Sequence, residues 1–444
     1  MKGMVVRGAT VVDSSGVRRA DVAIDDREIV AVESSIDAAG GRRVVDASGC
    51  LVLPGLVDLH AHLRDPGNPE CETVESASRA AARGGYTAVV AMPNTDPPID
   101  SVEVVRYVQE RATRAMTEVA VAGTITAGRK GERLAPMGEM FEAGVRLFTD
   151  DGAGVQDALL MRRAMEYAGG LGAIIAEHCE EARLAYRGHM HEGRWSSFLG
   201  IPGIPAEAEE VMAARDIALS RLTGCRLHLL HISTTGTLDL VRKAFKAGLP
   251  VTGEVAPHHL SLSDAEVASY DPQFKVNPPL RPAEDVRSLV NALVSGEVVV
   301  ATDHAPHPAD SKELPFDQAP PGMLGLETAL GVVWTVLTSG SGLSTGLDDM
   351  PVLSFEEAAA VVVEAMSVVP ARIAGLEGAQ GGTVRAGSAA NLCVFDPAAT
   401  WVVDRNRLAS LSANTPYDGR KLTGRVRHTI FRGEPVVVDG EPLR

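Results

Sequence analysis

The chain has 444 residues, 45% of them hydrophobic and 23% charged, which is a globular composition too long for one ordinary domain and about right for a barrel with a smaller domain attached. Its formal net charge of −16 argues against nucleic acid or an anionic membrane surface as partner and leaves room for a small anionic substrate only where local cations face a pocket. The 5 cysteines, Cys50, Cys71, Cys179, Cys225 and Cys393, lack CxxC spacing and imply a reduced interior; with no apolar leader in MKGMVVRGATVVDSSG and no run of ~20 apolar residues, the expected location is cytoplasmic.

In chain order, residues 1–50 read as short β-branched strands (MVVRGATVVD, ADVAIDD, EIVAVES) broken by Gly, Ser and Asp. From about Gly382 the pattern returns in ANLCVFDP, TWVVD and RHTIFRGEPVVVDG. The two ends are therefore expected to build one small β-sandwich domain, residues 1–52 and 382–444, around a central unit at 53–381. That centre alternates. Apolar runs at 57–62, 86–94, 117–125, 144–151, 172–178, 225–233, 249–256 and 296–304 are separated by helical stretches, among them 72–84, 157–169, 206–222 and 282–294. Near-continuous apolar strands alternating with helices predict an α/β fold, a (β/α)8 TIM-like barrel. The competing doubly wound sheet would want a glycine-rich turn after its first strand, where this chain has HAHLRDPG. Aromatic residues make up 4%, so Ala, Val, Leu and Ile must fill the core.

The ends of these runs carry the chemistry. His60 and His62 sit two apart, so a strand presents both on one face together with Arg64. Alone, HxH reads equally well as two loop histidines. His178 ends the fifth run, His231 the sixth, Asp303 the eighth, and Asp150–Asp151 the fourth. In a barrel these ends converge on one mouth, and imidazoles with carboxylates but no Cys suit Zn²⁺, or Mn²⁺ or Co²⁺. The ligand number suggests two ions: His60, His62 and Asp303 on one, His178 and His231 on the other, with Asp150 or Asp151 as bridge, or else a single ion. His228 is expected to face away. His258 and His259 are candidates for groups that orient ligands. His304 should point to the other side of its strand from Asp303, His189, His191 and His428 read as surface, and 308–321 around Lys312 reads as a lid or a long loop.

Taken together, DLHAHLRDPG (58–67), GGYTAVVAMPNTDP (84–97), FTDDGAGVQ (148–156), AEHCE (176–180), HIST (231–234), EVAPHHLSL (254–262), KVNPPLR (275–281), ATDHAPH (301–307) and GLET (325–328) resemble the bacterial class I dihydroorotases of the amidohydrolase superfamily, from about residue 50 to residue 395. Many relatives bridge their metals with a carboxylated lysine. This subgroup uses an aspartate, and the resemblance puts it at Asp151. It also implies two zinc ions with a bridging hydroxide, and substrate contacts from His62, Arg64, Asn94, Asn277, His307, Pro321 and Gly322. Pro321 departs from the aromatic residue usual before that glycine. The implied reaction is reversible opening of the cyclic amide of L-dihydroorotate to N-carbamoyl-L-aspartate in pyrimidine (UMP) synthesis, with Asp303 as the catalytic proton carrier and Arg64 gripping the substrate carboxylate. A homodimer is a reasonable expectation, and some members of that family assemble with aspartate carbamoyltransferase. The rival readings are a hydantoinase, dihydropyrimidinase or allantoinase, against which FTDDG and the Arg64–Asn94 pair argue, and a scaffold that has lost its ligands, against which their full complement argues.

Overall fold

The computed structural model describes residues 3–37 and 42–444; Met1, Lys2 and 38–41, parts of the expected terminal β unit, lie outside the described residues. Both ends of the chain are strands. β1 (Met4–Asp13), β2 (Gly16–Asp25) and β3 (Glu28–Glu33) form an antiparallel meander. β4 (Arg43–Asp46) and β5 (Leu51–Pro54) then run parallel to β1, pairing with its first and second halves respectively.

The chain next enters the barrel through β6 (Leu56–Ala61), β7 (Tyr86–Ala91), β8 (Glu118–Val121), β9 (Leu147–Phe148) and β10 (Ile174–Glu177). An excursion follows in which β11 (Met190–His191) pairs with β12 (Gly203–Ile204). β13 (Arg226–Leu229), β14 (Val251–Val255) and β15 (Val299–Val300) complete the barrel. All eight barrel strands are parallel, in the order the apolar runs predict. Its two seams close through single bridges, Gly123 to Phe148 and Ala61 to His304. β6 and β7 are buried along their whole length, as parallel strands covered on both faces must be, so they read as continuous apolar runs.

The predicted helices appear as Val74–Arg83, Ala158–Leu171, Glu207–Thr223 and Ala283–Val294. Thr73 and Asp157 cap the first two by accepting backbone N–H bonds, and Gly172 and Gly224 end the second and third in the left-handed conformation a side chain would resist.

β16 (Leu392–Val402), β17 (Lys421–Phe431), β18 (Glu434–Val438) and β19 (Glu441–Pro442) return the chain to the N-terminal strands. β16 lies antiparallel to β5, with Cys393 opposite Leu53, so both ends share one hydrogen-bonded network. Val6, Val22, Ile24, Val52, Val394 and Ile430 pack the core of this terminal sandwich. The 18 residues between β16 and β17 leave the sandwich and cross to the barrel mouth. There Ser412 donates to the carbonyl of Cys71, and Tyr417 and Ser261 share a hydroxyl hydrogen bond.

Candidate metal centre

His60, His62, Asp151, His178, His231 and Asp303 meet at the C-terminal mouth of the barrel, all of them buried. Asp151 sits at their centre. Its Oδ1 lies 3.4 Å from His60 Nε2, 3.5 Å from His231 Nε2 and 3.8 Å from His178 Nδ1, and its Oδ2 lies 3.6 Å from His62 Nε2. Asp303 Oδ1 is 3.2 Å from His62 Nε2 and 3.6 Å from His60 Nε2. His178 Nδ1 and His231 Nε2 face each other at 2.9 Å.

The proton positions say what this cluster is for. His60 Nδ1 donates to Glu254 Oε1 at 2.7 Å, and His62 Nδ1 donates to Asn94 Oδ1 at 2.8 Å. With Nδ1 committed, Nε2 of each ring faces carboxylate oxygens that carry only lone pairs, a contact that needs either a second proton on the ring or a cation between the atoms. His60 Nε2 and Asp151 Oδ1 find no hydrogen-bond partner among the described residues. Such an arrangement is reconciled by positive charge among the lone pairs, so the donor set fits a metal cation. Electrostatics agree. Burial pushes the carboxyl of Asp151 up, but positive charge on His60 and the close-facing rings of His231 and His62 outweigh it and hold the group well below the usual range. Asp303 is likewise held low, by a hydrogen bond from His62 and the charges of His60 and His231 against its burial.

Which aspartate of the pair faces the histidines is decided by the other one. Asp150 turns away, accepting from the backbone N–H of Ile125 at 2.9 Å and of Thr126 at 3.1 Å, and from the Thr126 hydroxyl. Arg129, absent from the sequence reading, donates to the Asp151 carbonyl and fixes the turn from outside. Arg64, His231 and Asp303 have φ of 58°, 30° and 46°, a left-handed backbone that non-glycine residues adopt at a cost and that collects at functional sites.

Above the cluster opens a cleft of about 270 Å³, lined by His62, Arg64, Asn94, Asp151, His178, His231, Asn277, Asp303, His307, Pro321 and Gly322. The structure therefore brings every sequence-predicted site residue to one place, with His60 beneath. Arg64 is the one Lys or Arg lining the cleft among the described residues. Its Nε donates to the Pro306 carbonyl, and no carboxylate pairs with it among the described residues. Asn277 Oδ1 is buried without a partner. His307 Nε2 donates to the Pro321 carbonyl at 2.8 Å, and burial, with Arg64 and Lys312 nearby, pushes its ring down to about 3, so it stays neutral. His307 uses the backbone of Pro321, so this contact does not depend on which side chain stands there. Gly322 has φ 141°, and a Cβ would stand 2.7 Å from His307 Nε2, so no other residue fits without displacement.

Some expectations need correcting. His258 and His259 orient no metal ligand among the described residues; His259 Nε2 donates to the Pro278 carbonyl, beside Asn277. That ligand-orienting work falls to Glu254, whose Oε1 takes His60 Nδ1 while its Oε2 takes His228 Nε2 at 2.9 Å. Burial pushes Glu254 up, yet these bonds from His228 and His60 prevail and hold it at about 2. His228, expected to face away, thus shares with His60 the carboxylate that orients it, its own Nδ1 bonding the Thr252 hydroxyl at 2.8 Å. A lone acid in an apolar barrel strand, GEVA, was the available signal. His428 is buried and His189 and His191 are half-buried, none of them the open surface position expected. His304 does point away from Asp303, toward Glu72 Oε2 at 3.3 Å. Lys312 is buried rather than waving on a lid, its Nζ donating to the carbonyls of Pro272 and Lys275 at 3.0 and 3.2 Å.

A (β/α)8 barrel whose strand ends gather four histidines and two aspartates into a buried cation-binding cluster is a metal-dependent hydrolase of the cyclic amidohydrolase kind. Residues 49–237 match the dihydro-orotase-like family. The chain is 45% identical to a dihydroorotase of Pelotomaculum thermopropionicum, over 98% of this chain and 99% of that protein, and 45% identical to one of Streptomyces coelicolor, over 99% and 100%. The chain belongs to the dihydroorotase family. Among solved structures it resembles the L-hydantoinase (dihydropyrimidinase) of Arthrobacter aurescens, with a TM-score of 0.86 and 26% identity over 100% of this chain and 98% of that one. The dihydropyrimidinase of Brevibacillus agri shares the fold, with a TM-score of 0.83 and 23% identity over 99% and 96%. No helix among the described residues is long and apolar enough to cross a membrane.

Proposed function

We propose that this chain reversibly hydrolyses the cyclic amide of L-dihydroorotate to N-carbamoyl-L-aspartate, the ring-opening and ring-closing step of pyrimidine synthesis. The observation that carries the reading is Arg64, unpaired by any carboxylate among the described residues, on the wall of a cleft whose floor is the metal cluster. A planar guanidinium beside a metal-dependent amide-opening centre suits a cyclic amide that also bears a carboxylate, and it places the one positive charge a protein of −16 needs for an anionic substrate.

In this proposal His60, His62 and Asp303 would hold one zinc and His178 and His231 a second, with Asp151 as the shared carboxylate, and Mn²⁺ or Co²⁺ could substitute. Bound there, the ions supply Lewis acidity toward the ring carbonyl and lower the pKa of a water. The protein's own groups do the rest. Arg64 orients the ring by its carboxylate. The unpartnered Oδ1 of Asn277 accepts a ring N–H. Neutral His307 and the Pro321–Gly322 turn form the far wall. Asp303, held ionised, takes a proton from the attacking water and returns it to the departing ring nitrogen. Residues 1–52 with 382–444 are proposed as the small β domain and 53–381 as the catalytic barrel.

The test is side-by-side turnover of L-dihydroorotate, hydantoin, dihydrouracil and allantoin by the metal-loaded enzyme. Preference for dihydroorotate supports the proposal; preference for any of the other three overturns it.

A further inference from the structure

His307, Pro321 and Gly322 lie on two separate passages of the chain, at 304–307 and 321–324, which meet through His307 Nε2 on the Pro321 carbonyl and Ala305 N–H on the Met323 carbonyl, and a third passage ties both from outside. Asn414, on the segment that leaves the terminal sandwich between β16 and β17, is 2% exposed at their crossing. Its Oδ1 accepts from the backbone N–H of His307 at 3.0 Å. Its Nδ2 donates to the carbonyl of Ala305 at 2.9 Å and to that of Gly322 at 3.2 Å. Its own carbonyl accepts from Leu324 N–H at 3.1 Å. One carboxamide thus uses both of its N–H groups and its oxygen on the backbone of the cleft wall, a donor–acceptor pattern that neither Asp nor Leu of similar size reproduces. The segment carrying it is tied down on both sides, by the Ser410 hydroxyl to Glu72, the partner of His304, and by Tyr417 to Ser261.

We infer that Asn414 is a positioning residue for substrate recognition: it sets the spacing between His307 and the Pro321–Gly322 turn, so the terminal sandwich contributes to the specificity wall of the barrel. Asn414 hydrogen-bonds to none of the six proposed metal ligands, so it acts on how the ring is held. The inference rests on the dihydroorotase reading for its kinetic arm and on the structure alone for its second arm.

The experiment uses the full-length, metal-loaded enzyme and its Asn414→Ala and Asn414→Asp variants. KM for dihydroorotate is expected to rise about 10-fold or more in both, with kcat within about threefold and metal content unchanged, the pattern of lost ground-state positioning. Asp keeps the acceptor for His307 and loses both donors, so wild-type kinetics in Asn414→Asp would overturn the donor role. Unchanged KM in both variants, or loss of metal with kcat, would overturn the inference altogether. Hydrogen exchange across 304–324 is expected to speed up in Asn414→Asp relative to wild type, and equal exchange sinks the clamp whatever the substrate is. Should wild type fail to turn over dihydroorotate, the proposed function falls while the exchange comparison still decides on Asn414. In the double variant Asn414→Ala/His307→Ala, the Asn414 substitution is expected to add little to the KM of His307→Ala, and full additivity counts against action through His307.

Discussion

His60 and Glu254 form one acid–imidazole pair, with Glu254 Oε1 2.7 Å from His60 Nδ1 and neither side chain open to solvent. The pair fixes which nitrogen of His60 carries the proton and leaves Nε2 for the cation. In Glu254→Gln an amide replaces an acceptor that takes protons from both His60 and His228, so one ring must turn or change tautomer. Metal affinity is expected to fall by ~10–100-fold, the usual effect of losing such a support. Titration of the apoenzyme with zinc against a chelator checks this, and an unchanged affinity would remove Glu254 from the site.

The two adjacent aspartates should separate cleanly. Asp151→Ala is expected to abolish metal binding and turnover. Asp150→Ala is expected to keep metal at stoichiometric loading and lose stability of about 1–3 kcal/mol, the cost of leaving the Ile125 and Thr126 donors buried without an acceptor. Metal analysis with denaturant unfolding reads both quantities, and equal metal loss in the two variants contradicts the assignment.

Arg64→Lys keeps the charge and loses the two-point grip. KM for dihydroorotate is expected to rise ~10-fold or more with a smaller change in kcat. Any residual turnover of uncharged hydantoin should be far less affected. If both substrates suffer equally, Arg64 is shaping the cleft and not reading a carboxylate.

Lys312 gives a pH signature. Burial, with Lys275 nearby, pushes its ammonium from 10.5 down to about 7, only partly offset by Asp271. A lysine whose folded pKa is depressed favours the fold when neutral. Its contribution is therefore full above 10.5, shrinks as pH falls toward about 7, and is constant below that. Lys312→Met should accordingly lie furthest below wild type near pH 10.5 and approach it as pH drops to about 7. Parallel stability curves across that window would show that Lys312 does not titrate there.

Much of this was legible from the linear sequence. The eight strands and their order were, even β9 and β15, which pair over two residues each, because the apolar runs persist in the sequence where the paired stretches are short. The residues of the cluster were legible too, because a histidine or aspartate at the end of an apolar barrel run lies at the mouth. Less local facts were not. Nothing in FTDDG tells that Asp150 caps the backbone at Ile125 while Asp151 turns inward, since that depends on a neighbouring strand. Glu254 is a single charge in an apolar strand, and its role depends on two imidazoles that β6 and β13 bring beside it. His258 and His259, adjacent and near a strand end, looked better placed than Glu254, but the short helix Pro257–Ser261 carries them off the strand direction. Asn414 lies in a stretch with no periodic signal at all.

The passage of chain that carries Asn414 has a consequence for how the enzyme matures. Every proposed ligand, from His60 to Asp303, leaves the ribosome before the sandwich can be finished, because β16 must arrive to pair with β5. A nascent or C-terminally clipped polypeptide would therefore own a complete set of metal-binding side chains while lacking the amide that sets the wall opposite them. Ion uptake and substrate selectivity would then be acquired at separate moments of biosynthesis, the second only once β16 and the segment that follows it have been made.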